Sequence, residues 1–287
     1  MLDIIYRYDP YRKEEIQPPA DAAEAQQRLE DGNRRFAHLL EIDPEAELPG
    51  PPIIHFRLED MGIATGGSTP IQTPYAVVLG CSDARVPVEM IYSEGCNNLF
   101  VVRVAGNVLG SEGLGSIDYA IQNFAGTLKL VVVMGHSGCG AVTAAVDAFL
   151  NPERYLAIAS SHPLRTIVDR ELLAVHAADN SLHEAYGIDV GTRIGYRKAL
   201  IETAIVFNAA LTAAALEREL VRERAPEIRV CFTVYDLGTR IVRVPALGQC
   251  SQGNEAVRLV RPPTEPAGLI SLAQEIVRSD FIREMLN

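Results

Sequence analysis

Long apolar runs are missing from this chain of 287 residues, and none approaches the ~18–20 residues that a membrane helix needs. The first fifteen residues also lack the apolar centre of a secretory signal, so a cytoplasmic location is the expectation. Basic residues are in short supply: 26 Lys and Arg stand against 37 Asp and Glu, a net charge of −11. An acidic surface repels phosphate backbones and argues against a nucleic-acid partner, while leaving room for a locally basic pocket for a small anion. Cysteine is sparse and odd in number, five in all, which fits a reducing compartment rather than a disulfide framework. Internal repeats and low-complexity tracts are absent. What remains is ordinary for a soluble globular chain, with 48% hydrophobic and 22% charged residues, and the length suits one large domain with appendages.

Four short β-branched runs stand out: Tyr75–Leu79, Leu99–Val104, Lys129–Met134 and Arg229–Val234. Continuous rather than alternating apolarity suits strands covered on both faces. Helical patterns over Pro87–Glu94, Leu114–Phe124 and Ala141–Leu150 fall between them, and Ile241–Val244 reads as an edge strand. The expected fold is therefore α/β: a mostly parallel central sheet of four strands plus an edge strand, flanked by helices. Residues 20–40 read as an N-terminal helical arm with Gly32 as a weak point, and 41–74 as a Pro/Gly-rich loop. Within a core spanning 75–245, a long segment at 151–190 precedes one or two Ala/Leu-rich helices over Thr192–Glu223. A linker at Pro263–Pro266 leads to a helical tail, 263–287 in all.

Reactive residue types concentrate in two short segments, each at the end of an expected strand. One runs Gly80-Cys81-Ser82-Asp83-Ala84-Arg85-Val86-Pro87, the other Gly135-His136-Ser137-Gly138-Cys139-Gly140. In open α/β sheets ligands bind beyond the carboxyl ends of strands. Cysteine and histidine are suited to Zn²⁺, and three protein ligands, Cys81, His136 and Cys139, leave one tetrahedral position open for water, the pattern of a catalytic zinc. Asp83 beside Arg85 stays ionised and oriented, as an acceptor toward that position or, if Arg85 lets go, as a fourth ligand. Taken singly, each residue has a plainer explanation: a buried cysteine is a small hydrophobe, a lone histidine a core residue, an Asp–Arg pair a surface ion pair. Their joint occurrence at two strand ends is what points to a metal. Cys96 as a fourth, structural ligand stays open; Cys231 reads as buried and Cys250 as a loop residue.

These residues resemble the β-class carbonic anhydrases. The resemblance extends to Leu99–Asn107, Gly115–Ala120, Leu29–Phe36 and the Tyr235-Asp236 pair before Ile241–Val244. It implies zinc on Cys81, His136 and Cys139, an Asp83–Arg85 dyad, and reversible hydration of CO₂ to bicarbonate. It also implies a substrate pocket of Gln72, Phe100, Ala105, Tyr119 and Gly140, at an interface of a dimer or dimer-based tetramer, so that Gln72, Phe100 and Tyr119 serve the neighbouring subunit's zinc. The N-terminal helix is expected to clasp the partner. Some bacterial relatives carry a tryptophan three residues before the first cysteine as part of an inhibitory bicarbonate site; here that residue is Val78 and the chain has no tryptophan, so that site is expected to be missing. Segment 151–190 looks longer than the family core requires, and its His162, His176 and His183 read as solvated loop residues. Three rivals remain: a carbon disulfide or carbonyl sulfide hydrolase on the same zinc, a zinc-binding regulatory or assembly protein without turnover, and a cysteine-nucleophile or redox enzyme.

Overall fold

Side chains that alternate between two buried faces account for strands with no polar alternation. The computed structural model describes residues 4–8, 17–40, 53–63, 66–221, 225–245 and 257–287. At its start, β1 (Ile5–Arg7) is followed by α1 (Ala22–Ala37) and then β2 (Ile53–His55), which pairs in parallel with β1. The expected loop at 41–74 is thus interrupted by a strand and by a 3₁₀ turn at Glu59–Met61, while residues 41–52 and 64–65 lie outside the described set. A three-residue run among prolines and glycines becomes a strand only because Ile5–Arg7 supplies its ladder.

The central unit runs β3 (Ala76–Gly80), α2 (Val88–Ile91), β4 (Leu99–Arg103), α3 (Ser111–Asn123), β5 (Leu130–His136), α4 (Gly140–Leu150), α5 (Pro152–Ala159), α6 (His162–Tyr186), α7 (Tyr196–Leu216), β6 (Arg229–Tyr235) and β7 (Val242–Arg243). The sheet order is β4-β3-β5-β6-β7, parallel except for β7. That is the expected four parallel strands plus an edge. Val77, Leu79, Val131, Val133 and Phe232 pack with residues of α3, α4, α6 and α7, while Ala76, Val78, Leu130, Val132 and Cys231 pack with α1 and α2. The sheet is therefore the middle of three layers.

Segment 151–190 is not a loop. Asn151 caps α5 by accepting from the Glu153 amide at 3.0 Å, with Pro152 in the first turn. The 25-residue α6 buries Val168, Val175, Ala178 and Leu182, a spacing of three, four and seven. Burying each of its larger apolar side chains contributes roughly 1.5–3 kcal/mol. His162, His176 and His183 ride on this helix, and His176 packs edge-on against Phe149.

α7 corrects a second expectation. The stretch Tyr196–Glu219 is long and apolar enough to cross a membrane by length and composition, yet 83% of its most apolar window is buried. It lies between β5 and β6 on one side and α6 on the other, a core helix concealed on nearly every face. The tail forms two helices, Pro266–Val277 and Asp280–Leu286, whose Ile276, Val277, Ile282 and Leu286 join the same core.

α1 is fixed to its own chain. Asp21 caps it through the amides of Ala23 and Glu24, and Ala25 and Leu29 are fully buried. Gly32 is a contact rather than a weakness: a Cβ there would run into the Tyr92 carbonyl. Buried Asn33 donates to the carbonyls of Ile91 and Arg240 and accepts from the Val242 amide. The apolar face of α1 is thus spent within the chain.

Candidate metal centre

β3 and β5 are parallel neighbours, so their carboxyl ends finish side by side, about 4.8 Å apart. Cys81 follows the last residue of β3, and His136 is the last residue of β5. Gly138, at φ 61°, turns the chain back so that Cys139 occupies the N-cap position of α4. One donor atom from each of Cys81, His136 and Cys139 lies within 4.8 Å of the other two, and all three residues are buried.

This donor set fits a zinc ion. Tetrahedral Zn–S and Zn–N bonds of ~2.3 and ~2.0 Å imply donor separations of about 3.5–3.8 Å, inside the 4.8 Å within which the three donors lie. His136 Nδ1 lies 3.1 Å from the Ser137 carbonyl, a contact that fixes the Nδ1–H tautomer and leaves Nε2 as the electron-pair donor. Nε2 is buried with no hydrogen-bond partner among the described residues, a costly state that a cation relieves. The two thiols hold their protons unequally. The neighbouring Cys139 thiol draws Cys81 well below the usual thiol range, and the Cys139 thiol is pushed up by that same contact and by burial.

Asp83 stands against this trio without entering it. Arg85 Nε and Nη2 donate to its two oxygens at 3.0 and 2.7 Å, and the Arg85 amide donates to Oδ1 at 2.9 Å. The guanidinium beside it holds the carboxyl well below the usual carboxylate range. Asp83 Oδ2 lies 3.9 Å from His136 Nε2. The structure thus pairs Asp83 with Arg85 and brings Cys81, His136 and Cys139 together beside them.

The other anticipated residues sit as follows. Phe100 and Tyr119 have ring centroids 6.5 Å apart and share Phe124 as a neighbour. Tyr119 is 52% exposed. Ala105 is half-buried in a 3₁₀ turn, Gly140 is the exposed first residue of α4, and Gln72 is exposed on the stretch leading into β3. Cys96 is no fourth ligand: it is exposed, 3.7 Å from the Asp60 carbonyl and outside the trio. Cys231 is buried, and Cys250 lies outside the described residues.

Several supporting residues were not singled out from sequence. Arg103 donates to the carbonyls of Cys81 and Asp83 at 3.0 and 2.6 Å, pinning the ligand loop to the end of β4. The amides of Asp83 and Gly106 donate to the Cys81 sulfur at 3.4 and 3.3 Å. Glu202 accepts from the Gly138 amide at 3.0 Å, and Ser137 Oγ from the Leu237 amide at 2.9 Å, bracing the turn between His136 and Cys139. Glu171 and Asn208 are buried behind Gly106. Only Asn208 left a trace in the sequence, as a lone amide inside an apolar helix.

A sequence model of the carbonic anhydrases matches residues 76–239. Carbonic anhydrase 2 of Mycobacterium tuberculosis is 38% identical over 131 residues, 46% of this chain and 56% of that protein. The carbonic anhydrase of Mycolicibacterium smegmatis is 37% identical over 132 residues, again 46% and 56%. The chain thus matches little more than half the length of these curated relatives. A solved structure of a tetrameric β-carbonic anhydrase from Sordaria macrospora overlays with a TM-score of 0.49 at 21% identity, covering 60% of this chain and 81% of that one. The matched stretch contains Cys81, His136 and Cys139 together with the Asp83–Arg85 pair, and it takes in more than half of the residues here: the chain belongs to the β-carbonic anhydrase family.

Proposed function

We propose that this chain hydrates CO₂ reversibly to bicarbonate and a proton, with one zinc ion per subunit held by Cys81, His136 and Cys139. The observation that carries this reading is the Asp83 carboxylate, gripped at both oxygens by Arg85 and standing 3.9 Å from His136 Nε2. A purely structural metal site has no use for such a pair. Zinc bound there would act as a Lewis acid that brings a coordinated water into the neutral titration range.

The remaining work belongs to the chain's own groups. Asp83 offers an ionised acceptor toward the side of the trio that the protein leaves open, orienting a donor there. Arg85 keeps that acceptor charged and keeps it from becoming a fourth ligand. Phe100, Ala105 and Tyr119 supply a small apolar lining, suited to a linear substrate that makes no strong hydrogen bonds. The Gln72 amide donates to a substrate oxygen. The Gly140 amide, at the positive end of α4, favours the bicarbonate anion. The half-exposed edge strand β4 and the uncovered Tyr119 support a homo-oligomer, a dimer or a dimer-based tetramer, in which Gln72, Phe100 and Tyr119 complete the neighbouring subunit's pocket.

Elemental analysis coupled to stopped-flow CO₂ hydration tests this reading. Zinc close to one per subunit is expected, with activity lost to a chelator and restored by zinc. Full zinc occupancy with no hydration at any pH would make the protein a metal-binding module. Sulfide release from carbon disulfide in place of hydration would change the substrate.

A further inference from the structure

We propose that Glu171 and Asn208 form a buried strut that sets the Gly106 amide against the Cys81 sulfur, and so tunes the strength with which Cys81 holds its metal. The inference rests on the zinc reading above and assigns two positioning residues to that centre.

Asn208 Nδ2, on α7, donates to the Gly106 carbonyl at 2.8 Å and to Glu171 Oε1, on α6, at 3.3 Å. The amide of the same Gly106 donates to the Cys81 sulfur at 3.3 Å. Two helices on one face of the sheet thus grip a single residue whose other polar group touches a metal ligand. The grip is close. Gly106 sits at φ 68°, and a Cβ there would run into Glu171 Oε1. Glu171 is fully buried and Asn208 nearly so, polar groups set in a largely apolar core. Glu171 Oε2 has no hydrogen-bond partner among the described residues, so the carboxyl is best accommodated neutral. Burial, with the Cys81 sulfur adding to it, pushes it up to about 8. A neutral acid braces Asn208 without placing a second negative charge behind the thiolate.

An N–H donated to a metal-bound sulfur lowers the energy of the sulfur lone pairs and fixes their direction, so such outer partners alter both affinity and the electronic character of the bond. Three variants separate this role from simple packing: Asn208→Leu, Glu171→Leu and Glu171→Gln. Three readouts apply: zinc affinity by competition with a chromophoric chelator, the sulfur-to-cobalt charge-transfer band of the Co²⁺-substituted protein, and the melting temperature of the metal-free protein. Asn208→Leu is expected to weaken zinc binding by about 10–100-fold and move the charge-transfer band to longer wavelength. Its melting temperature should fall, because the Gly106 carbonyl and Glu171 Oε1 are left buried without that donor, and the charge-transfer band separates this loss from a change at the sulfur. Glu171→Leu should shift affinity and band in the same direction by less, and Glu171→Gln, which keeps an oxygen acceptor, should stay close to the parent protein. Unchanged affinity and band in both leucine variants would overturn the proposal. Were Asn208→Leu not to fold, the Glu171 pair decides: Leu and Gln behaving alike overturns it, and rescue by Gln supports it. A parent protein unable to hold zinc would instead bring down the metal reading itself.

Discussion

Arg85 meets Asp83 with two side-chain nitrogens and its backbone amide, and that arrangement makes a definite claim about one atom pair. Asp83→Asn keeps the shape and loses the charge and the symmetric acceptor. CO₂ hydration is expected to fall by about 10–100-fold while zinc content stays at the parent level, measured by stopped flow and elemental analysis. Equal activity would remove Asp83 from the chemistry. Glu171 gives a second residue-scale prediction. Its folded value is pushed up to about 8 by burial, against about 4.3 for an unfolded glutamate. The folded state therefore holds that proton more tightly. The stabilising contribution is complete below about pH 4 and is lost as pH rises through about 8, with a slope of at most about 1.4 kcal/mol per pH unit. Denaturant titrations at several pH values should show that slope flattened in Glu171→Gln, and superimposable pH profiles would reject it. Cys81, Asp83, Arg85, His136 and Cys139 were legible in sequence because each group is contiguous and directly follows an apolar strand. Glu171 was not, since Asp169 and Arg170 beside it read as a solvated helix face, and its partner lies on another helix.

Helices and strands were legible in proportion to how far their burial is periodic. The four parallel strands showed themselves as nearly continuous apolar runs because three of them are covered on both faces and β4 on part of each, and their ends moved by no more than two residues. β1 and β2 could not be seen, since a three-residue strand is defined by a partner far away in sequence. α6 was missed although Val168, Val175, Ala178 and Leu182 mark its buried stripe, because histidines and charges between them hide the period. The seat of α1 gives the test at this scale. Gly32→Ala would drive a methyl group into the Tyr92 carbonyl and lift the helix from α2. Overpacking of this kind costs roughly 1–3 kcal/mol, so the melting temperature should drop while zinc binding persists. An unchanged melt would show that α1 adjusts freely.

At the scale of the whole molecule, an edge strand and an aromatic pair lie side by side on the surface. β4 is the outer strand and is only partly covered, and Tyr119 beside Phe100 is largely exposed. Light scattering after size exclusion is expected to give a dimer or larger. Tyr119→Arg should shift the population toward monomer and lower CO₂ hydration in step, because the pocket is then opened on both subunits. A fully active monomer would argue that each pocket is complete within one chain. The buried course of α7 has a consequence for how the protein is made. This rod of about 32 Å is synthesised before β6, the strand that covers part of its inner side. On the ribosome it stands bare for the time needed to add the next twenty or so residues, a period of seconds in which a nascent chain offers chaperones and membrane-insertion machinery the same greasy segment.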